Sequence, residues 1–227
     1  GIDLALLLEA ILSEVDGDYR IRIGMMEPHA VASIAERLSG LMRDQRVYNY
    51  LHLPLQSGDD RVLALMNRKY SVSEYTALVR LFRSRLNALN LVTDIIVGYP
   101  GETHEAFANT VRVVREIRFD KVHVARYTLR PFTPAYVAER QVPEPVKKRR
   151  SRELSRVVEE VCLEVNKKYV GSRFEALVEG RGKSGFVARL RINYKPVVLH
   201  EDLEPGEIVE VRITGAEPYH LLGSVVR

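Results

Sequence analysis

The sequence predicts an α/β protein, with a partial (β/α) barrel of parallel strands followed by a small all-β barrel of the OB-like kind. Three observations predict this fold class. In the first half of the chain, apolar runs of strand length alternate with segments whose apolar residues recur every three or four positions. Residues 131–150 are then rich in proline, and after Gly171 the apolar period becomes two. We therefore predict part of a barrel in 1–142, a basic linker helix in 143–168 and the small barrel in 169–227.

The first elements of the chain alternate between helix and strand. Apolar residues on one face predict a helix over 3–15. A strand is predicted over 21–26, Pro28 then opens a helix that continues to about Arg43, and a second strand follows over 47–53. Helices that connect consecutive strands in this way make the strands parallel.

The same alternation continues to the middle of the chain. Ser71 and Glu74 form a capping box, because each side chain can satisfy the other's exposed backbone N–H, and they begin the next helix. The strand over 91–97 has apolar residues on both faces, and a helix with an apolar stripe over 107–117 leads to a strand over 122–127. These are four strands, whereas a closed eight-stranded barrel takes about 250 residues. We therefore expect the missing strands to precede this chain.

The carboxyl-terminal part is predicted to contain one long helix and a set of short strands. The helix begins in the basic run Lys147–Arg150 and turns Leu154 and several valines inward. Glycine and proline turns then separate five short strands, a number that suits an OB-like barrel. The strands are predicted at 174–179, 185–190, 196–199, 207–213 and 222–226.

Composition limits the classes of protein to consider. The chain has 227 residues, of which 46% are hydrophobic and 28% are charged, and this balance favours a folded core over disorder. Its apolar runs are too short to span a bilayer. A single cysteine excludes an internal disulfide framework and fits a reducing compartment, so we expect a cytoplasmic protein without a membrane partner. The net charge of +4 permits an anionic partner.

Asp94 is a candidate binding residue. It precedes Ile95, Ile96 and Val97 in a strand predicted to be buried, and a buried carboxylate is costly unless something satisfies it. One interpretation is an ion pair with an arginine of the barrel. The other is an acceptor for the ribose hydroxyls of a nucleoside cofactor, and the sequence leaves both open.

Further polar residues lie near the predicted ends of strands and helices. Gln56 follows a strand directly, so its amide suits either a diol ligand or a turn that caps the next helix. Arg68 ends a predicted helix, where it meets either the helix dipole or a ligand. His52 alternates with leucines, as a hydrogen-bonded core histidine does, and the six histidines lack metal-ligand spacing. We predict no metal ligands, and we place Cys162 in the core because it lies on the apolar face of the linker helix.

Basic residues of the linker and the small barrel are candidates for nucleic-acid contact. The run Lys147–Arg150 is typical of a solvated face, but its position between two domains also suits RNA. In the small barrel, basic side chains accompany Phe186 and Tyr194, a combination that holds RNA backbone and bases on OB-like surfaces. Nearby acidic residues nearly balance that charge.

Several motifs, taken in order, resemble the radical S-adenosylmethionine methylthiotransferase family. They are His-Leu-Pro-Leu-Gln-Ser-Gly at 52–58, Met-x-Arg-x-Tyr at 66–70, Thr-Asp-Ile-Ile-Val-Gly-Tyr-Pro-Gly-Glu-Thr at 93–103 and Arg-Pro-x-Thr-Pro-Ala at 130–135. The resemblance covers essentially the whole chain, from the middle of the barrel to a terminal TRAM domain. The segments that begin at Gly24 and Gln141 look most like the archaeal and eukaryotic branch.

The resemblance implies an activity and a set of contacts. That branch adds a methylthio group at C2 of N6-threonylcarbamoyladenosine, next to the anticodon of certain tRNAs, using S-adenosylmethionine and two [4Fe–4S] clusters. It implies S-adenosylmethionine contacts for Gln56, Arg68 and Asp94. We expect contacts with tRNA from Arg130, Lys147, Lys148, Arg149, Arg150, Lys183, Phe186 and Tyr194.

The chain also departs from the family. It lacks the family's amino-terminal domain and the cysteine motif of the barrel, so we expect no cluster in this chain, no activity from it alone, and a missing amino-terminal part of the same polypeptide as its partner. Phe132 stands where the family usually has glycine, which predicts a differently shaped loop. The alternatives are a methylthiotransferase of the bacterial isopentenyladenosine-tRNA or ribosomal-protein type, another radical S-adenosylmethionine enzyme, and a non-catalytic RNA-binding fragment.

Overall fold

A three-stranded parallel sheet forms the centre of the amino-terminal part in the computed structural model, which describes residues 3–226. The sheet consists of β1 (Tyr50–His52), β2 (Asn90–Val97) and β3 (Lys121–Arg126). The helices of this part are α1 (Leu4–Glu14), α2 (Pro28–Ala32), α3 (Ala35–Leu41), α4 (Asp60–Leu65), α5 (Val72–Arg85) and α6 (His104–Ile117). Helices between successive parallel strands confirm the predicted partial (β/α) barrel.

A closed five-stranded barrel forms the carboxyl-terminal part, and the long helix α7 (Glu144–Lys167) leads into it. Its strands are β4 (Arg173–Arg181), β5 (Phe186–Leu190), β6 (Pro196–Leu199), β7 (Ile208–Ala216) and β8 (Leu221–Val225). They follow the spatial order β4-β5-β6-β8-β7, and only the β6–β8 pair is parallel. The change of period from helical to two-residue alternation therefore predicted the small barrel correctly.

The amino-terminal segments deviate from the prediction in two places. Residues 21–26 run parallel to β1 as an extended segment, but they make only the isolated bridges of Ile21 with Val47 and Met25 with His52. The helix predicted over 28–43 is divided between α2 and α3. The hydroxyl of Ser33 donates to the carbonyl of Ala30 (3.2 Å), and such local bonds compete with the helical backbone pattern.

The two faces of the parallel sheet have different roles. Alternate residues of β2, such as Leu91 and Ile95, are fully buried in the core that also contains Phe82 and Phe107 of the surrounding helices. Asp94 points to the opposite, inward face and is only partly buried. The strand is therefore covered fully on its helix-facing side, and the inward face carries polar groups.

Helix α7 joins the core through an apolar stripe that includes Leu154, Val158 and Val161. Cys162 belongs to the same face, is fully buried and donates its thiol toward the carbonyl of Phe119 (3.6 Å). Burial raises the pKa of the Cys162 thiol to about 11. The prediction of a core cysteine is thus confirmed. Within residues 3–226, no helix is both long and apolar enough to cross a membrane.

The small barrel docks against the edge of the parallel sheet where its strands begin. The ammonium group of Lys195 donates to Asp120 (2.7 Å) and to the side chain of Asn166 (2.6 Å). The amide of Asn90 donates to the carbonyl of Asn193 (3.0 Å). All five side chains are buried, so this polar network fixes the small barrel at the amino-terminal edge and leaves the carboxyl-terminal edge of the sheet free of it.

Candidate functional site at the carboxyl edge of the parallel sheet

Asp94 is held on the inward face of β2 by a histidine. Nε2 of His52 and Oδ2 of Asp94 lie 3.0 Å apart, and the Asp94 side chain keeps about a quarter of its surface exposed (27%). The register of the strands places Asp94 directly beside His123 of β3. The carboxylate therefore pairs with a histidine rather than with the barrel arginine of one sequence interpretation, and it retains acceptor capacity for a ligand.

His52, Asp94 and His123 form a group that sequence spacing did not predict. One ring nitrogen of each histidine and one carboxylate oxygen of Asp94 all lie within 4.8 Å of one another, and the centres of the two histidine rings are 5.8 Å apart. Burial, followed by the neighbouring charge of Lys121, lowers the pKa of His123 and favours its neutral ring. Residues on the same face of neighbouring strands become adjacent whatever their separation in the chain, so strand alternation was the signal that could have found this group.

Gln56 continues the pairing of β1 and β2 beyond the end of β1. Its N–H donates to the carbonyl of Asp94 (2.8 Å), and its carbonyl accepts from the N–H of Ile96 (3.0 Å). Its φ of 68° lies in the left-handed region, which costs a residue other than glycine about 1–3 kcal/mol and clusters at functional sites. Asp59, not Gln56, caps α4 by accepting from the N–H groups of Arg61 and Val62. The helix-cap interpretation of Gln56 is therefore wrong.

Arg68 follows α4 and carries an unused donor. Its Nε is buried and has no hydrogen-bond partner within residues 3–226, which is unusual because buried polar groups are nearly always paired. The hydroxyl of Tyr70 donates to the carbonyl of Pro54 (2.9 Å). Burial raises the pKa of Tyr70 to about 12, and the nearby charge of Arg68 opposes this shift. Tyr70 thus contacts the segment that leads into Gln56, and Arg68 precedes Tyr70 by two residues in the chain.

The loop that follows β2, residues 98–103, is held in place by an ion pair with a residue of α7. Oε1 of Glu102 accepts from the N–H of Gly98 (3.1 Å) and from Nη1 of Arg150 (2.6 Å). Burial raises the pKa of Glu102, although both of these donors oppose that shift. The guanidinium of Arg150 also lies 5.6 Å from the ring centre of Phe107. The loop is therefore held by a buried ion pair at the edge where Gln56 and Asp94 lie.

The predicted RNA-binding block on α7 requires a correction. Lys147 and Arg150 are buried, with only 4% and 7% of their surface exposed, and the ammonium of Lys147 donates to Glu144 (2.8 Å). The prediction that all four basic residues form an exposed block is wrong for these two, whereas Lys148 and Arg149 are exposed. Positions 147 and 150 lie on the same face of α7 as its buried apolar residues, at helical spacing. The helical period of the sequence could therefore have predicted that these two residues are buried.

The remaining residues of the predicted RNA set lie apart from one another. Arg130 is exposed in the loop after β3. Lys183 lies in the turn before β5, and Phe186 begins that strand beneath the guanidinium of Arg181. Tyr194 lies beyond the other end of β5, so the tertiary structure does not bring these residues together.

The ring and the hydroxyl of Tyr194 both make contacts with other residues of the protein. Its ring packs against Tyr48 and Tyr50, with ring centres 5.1 and 5.9 Å away, and the guanidinium of Arg189 lies 4.6 Å from it. Its hydroxyl donates to Glu179 (3.1 Å). These contacts place Tyr194 in the junction between the two parts of the chain, where little of its ring is left for a stacked base.

Phe132 adopts a backbone conformation that favours glycine. Its φ of 66° lies in the left-handed region, and its side chain is fully exposed. A bulky residue is rare there, whereas glycine adopts this conformation without a steric cost.

Gly98 is expected to tolerate no larger residue. Its φ is 76°, and a Cβ atom would lie 2.3 Å from Cγ of Lys147. We expect Gly98→Ala to lower the free energy of unfolding by about 1–3 kcal/mol, because it adds backbone strain to a clash. Urea denaturation followed by circular dichroism measures the change. Gly24→Ala is the control, since among residues 3–226 no atom other than those of its chain neighbours lies within 4 Å of its Cβ position. Equal stability of the two variants would contradict the prediction.

Comparisons with known proteins agree with this architecture. The profile of the radical SAM superfamily matches residues 2–114, and the profile of the TRAM domain matches residues 167–226. A solved structure of coproporphyrinogen III oxidase from Escherichia coli, a radical SAM enzyme, superimposes with a TM-score of 0.51 at 22% identity, over 66% of this chain and 34% of that one. This likeness supports the barrel fold.

Two curated relatives are similar over almost the whole chain. A threonylcarbamoyladenosine tRNA methylthiotransferase of Pyrococcus horikoshii is 42% identical over 226 residues, which cover 100% of this chain and 52% of that protein. A tRNA-2-methylthio-N(6)-dimethylallyladenosine synthase of Pelotomaculum thermopropionicum is 40% identical over 225 residues, with 97% and 49% covered. The chain spans about half the length of the curated relatives it matches. The chain therefore contains a radical SAM domain and a TRAM domain, and it is similar over its whole length to the tRNA methylthiotransferases.

Proposed function

We propose that this chain works within a radical S-adenosylmethionine enzyme that adds a methylthio group at C2 of N6-threonylcarbamoyladenosine in tRNA. One observation carries the proposal: the fold brings Gln56 and Asp94 into direct backbone contact at the carboxyl edge of the parallel sheet. Ligand sites of α/β barrels lie at this edge. The similarity of the whole chain to tRNA methylthiotransferases names the reaction.

The polar groups at this edge fit S-adenosylmethionine. The carboxylate of Asp94 would accept from ribose hydroxyls while His52 holds it in place. The amide of Gln56 can both donate and accept, and the Nε–H of Arg68 is a donor without a partner within residues 3–226. When bound, S-adenosylmethionine supplies the radical and methyl-transfer chemistry. The residues of this chain bind and orient the nucleoside part of S-adenosylmethionine. The loop 98–103, held by its ion pair with α7, keeps the carboxyl edge of the sheet rigid.

The iron–sulfur clusters do not fit the residues of this chain. Clusters are held by thiolates, and the one thiol here, that of Cys162, is buried in the core with a pKa raised to about 11. We therefore propose that another part of the whole polypeptide holds the two [4Fe–4S] clusters.

The domain division and the partner complete the proposal. We divide the chain into the barrel part (1–142), the linker helix (143–168) and the TRAM domain (169–227), with tRNA as the macromolecular substrate. Exposed candidates for tRNA contact are Arg130, Lys148, Arg149 and Lys183, and Phe186 is a partly buried candidate. Since tRNA is the substrate, we propose the cytoplasm as the compartment.

A second candidate function differs only in the modified nucleoside. The relative from Pelotomaculum thermopropionicum is a tRNA-2-methylthio-N(6)-dimethylallyladenosine synthase, and its identity of 40% is close to the 42% of the archaeal protein. Mass spectrometry of tRNA incubated with the whole enzyme separates the two. Methylthiolation of threonylcarbamoyladenosine supports the first proposal, and methylthiolation of dimethylallyladenosine alone supports the second.

The cofactor site is tested by removing its polar groups one at a time. In the whole enzyme, we expect Asp94→Asn and Gln56→Ala each to weaken S-adenosylmethionine binding by about 1–3 kcal/mol, because a polar group of the cofactor loses its partner on the protein. Isothermal titration calorimetry measures the affinity. Asp202→Asn and Gln45→Ala are matched controls at exposed positions. If all four variants bind the cofactor like the parent, with unchanged circular dichroism, Asp94 and Gln56 have a structural role only.

A further inference from the structure

A groove rich in arginine lies between the parallel-sheet part and the small barrel. It has a volume of about 480 Å³, and the sheet part contributes Arg20, Arg43 and Arg85 to its lining. Arg191 and Glu175 line it from the small barrel. The groove lies near the beginning of β1, because Ile21 bridges to Val47 and the N–H of Asn49 donates to the carbonyl of Ile192 (2.8 Å). It is thus at the opposite end of the sheet from Gln56 and Asp94.

The acidic groups of the groove leave much of this positive charge uncompensated. The carboxylate of Asp44 is occupied by Arg46 through bonds of 2.8 and 3.0 Å, which lower the pKa of Asp44 to about 2. Oε2 of Glu175 approaches Nε of Arg191 only to 3.8 Å. Arg43 is exposed and makes no ion pair within residues 3–226. Arg85 pairs with Glu36, which is largely exposed and does not line the groove. The four guanidinium groups therefore share the lining with a single carboxylate, that of Glu175, which is not fully engaged.

Two of these arginines also keep unused donors. Nε of Arg20 and Nε of Arg191 are both buried and lack a hydrogen-bond partner within the described part of the chain. Their terminal nitrogens share one oxygen of Asp18, at 3.0 and 2.7 Å. Asp18 is mostly exposed, so this shared contact is weak. An anion in the groove would give these guanidinium groups the acceptors that they lack.

We propose that this arginine groove binds the phosphodiester backbone of RNA. The inference rests on the proposed function, and it places a phosphate-binding site where nothing in the sequence motifs pointed. Arginine is suited to phosphate because its planar fork donates two parallel hydrogen bonds. Four arginines that span two structural units present more donors than one small phosphate uses, which favours a run of successive phosphates. The groove also supplies the basic surface that Lys147 and Arg150, being buried, do not.

The test neutralises the two exposed arginines of the groove, of which Arg43 makes no ion pair within residues 3–226 and Arg85 pairs only with the exposed Glu36. Arg43→Gln/Arg85→Gln in this chain removes two charges, and Arg112→Gln/Arg156→Gln removes the same number from exposed positions of α6 and α7 outside the groove. Fluorescence anisotropy with labelled tRNA at several salt concentrations gives the affinity and its salt dependence. Each lost phosphate contact reduces the slope of log K against log salt by about 0.7–0.9.

We expect the groove variant to bind tRNA roughly tenfold more weakly at low salt, with a slope reduced by roughly 1.4–1.8, while the control pair binds like the parent. Arg43→Lys/Arg85→Lys keeps the charge and should restore most of the slope, which separates a charge effect from a folding defect. Circular dichroism melting of each variant verifies the fold.

Three results would overturn the proposal. If the parent binds tRNA and the groove variant binds equally well, the RNA contacts lie elsewhere, and the proposed function still stands. If the parent does not bind tRNA even at low salt, the groove is not an RNA site, and the proposed function is then judged by the cofactor and product assays of the whole enzyme. If inorganic phosphate raises the melting temperature of the parent but not of the groove variant, and tRNA affinity is the same for both, the ligand is a free phosphate rather than RNA.

Discussion

Replacing Arg150 with alanine is expected to lower the free energy of unfolding by about 3–5 kcal/mol. In the parent, Nη1 of Arg150 donates to the carboxylate of Glu102 (2.6 Å) and to the backbone carbonyl of Glu102 (3.1 Å). The substitution would leave this carboxylate buried without its charged partner. An unpaired buried charge costs several kcal/mol, far more than an exposed ion pair contributes. The loss of the guanidinium would also remove its contact with the ring of Phe107.

Urea denaturation measures this change, and the neighbouring residue supplies the control. Arg149→Ala removes the same side chain from an exposed position, so its stability should stay within about 0.5 kcal/mol of the parent. The double variant Glu102→Gln/Arg150→Met should recover part of the loss, because neither charge is then left buried alone. If Arg150→Ala is as stable as Arg149→Ala, the ion pair does not hold the loop.

Replacing Lys195 with methionine is expected to cost about 3–5 kcal/mol as well, and to loosen the small barrel from the sheet. The ammonium of Lys195 is the charged partner of Asp120, and both side chains are buried in the interface. Asp120 would keep only the N–H of Leu91 (2.9 Å), and Asn166 would lose a donor to its side-chain oxygen. The network that orients the two parts of the chain would thus lose its central cation.

Two measurements distinguish loosening from a general loss of stability. Calorimetry should resolve separate unfolding transitions for the two parts in Lys195→Met, and limited proteolysis should cut near the end of α7 faster than in the parent. Lys183→Met is the control, because Lys183 is exposed in a turn of the small barrel. A single transition at the parent temperature in Lys195→Met would show that the two parts are held together by other contacts.

The sequence by itself determined the order and type of most elements. Ser71 and Glu74 begin α5 through the predicted capping box, and the predicted strand at 196–199 coincides with β6. These features depend on residues a few positions apart, because helix caps and periodicity are local. The motifs also indicated the family, since those at 52–58, 66–70, 93–103 and 130–135 are short local sequences that occur in a fixed order along the chain.

The tertiary structure decided which charged residues are structural. Lys147 and Arg150 looked like members of an exposed basic run, yet Arg150 is buried against a carboxylate 48 positions earlier in the chain. Lys195 is one of several basic residues in the sequence of the small barrel, yet it pairs with Asp120 across 75 positions. A local pattern specifies which face of a helix or strand turns inward, but a buried charge depends on a partner that only the packing of distant elements supplies.

The same reason explains the two sites that the sequence did not reveal. His52, Asp94 and His123 become neighbours because parallel strands align residues from separate segments on one face. Arg20, Arg43, Arg85 and Arg191 form a groove because the small barrel docks at the edge of the sheet where its strands begin. The sequence determined the elements and the family of this protein, whereas the docking of its two parts decided where its positive charge is buried and where it is available to a ligand.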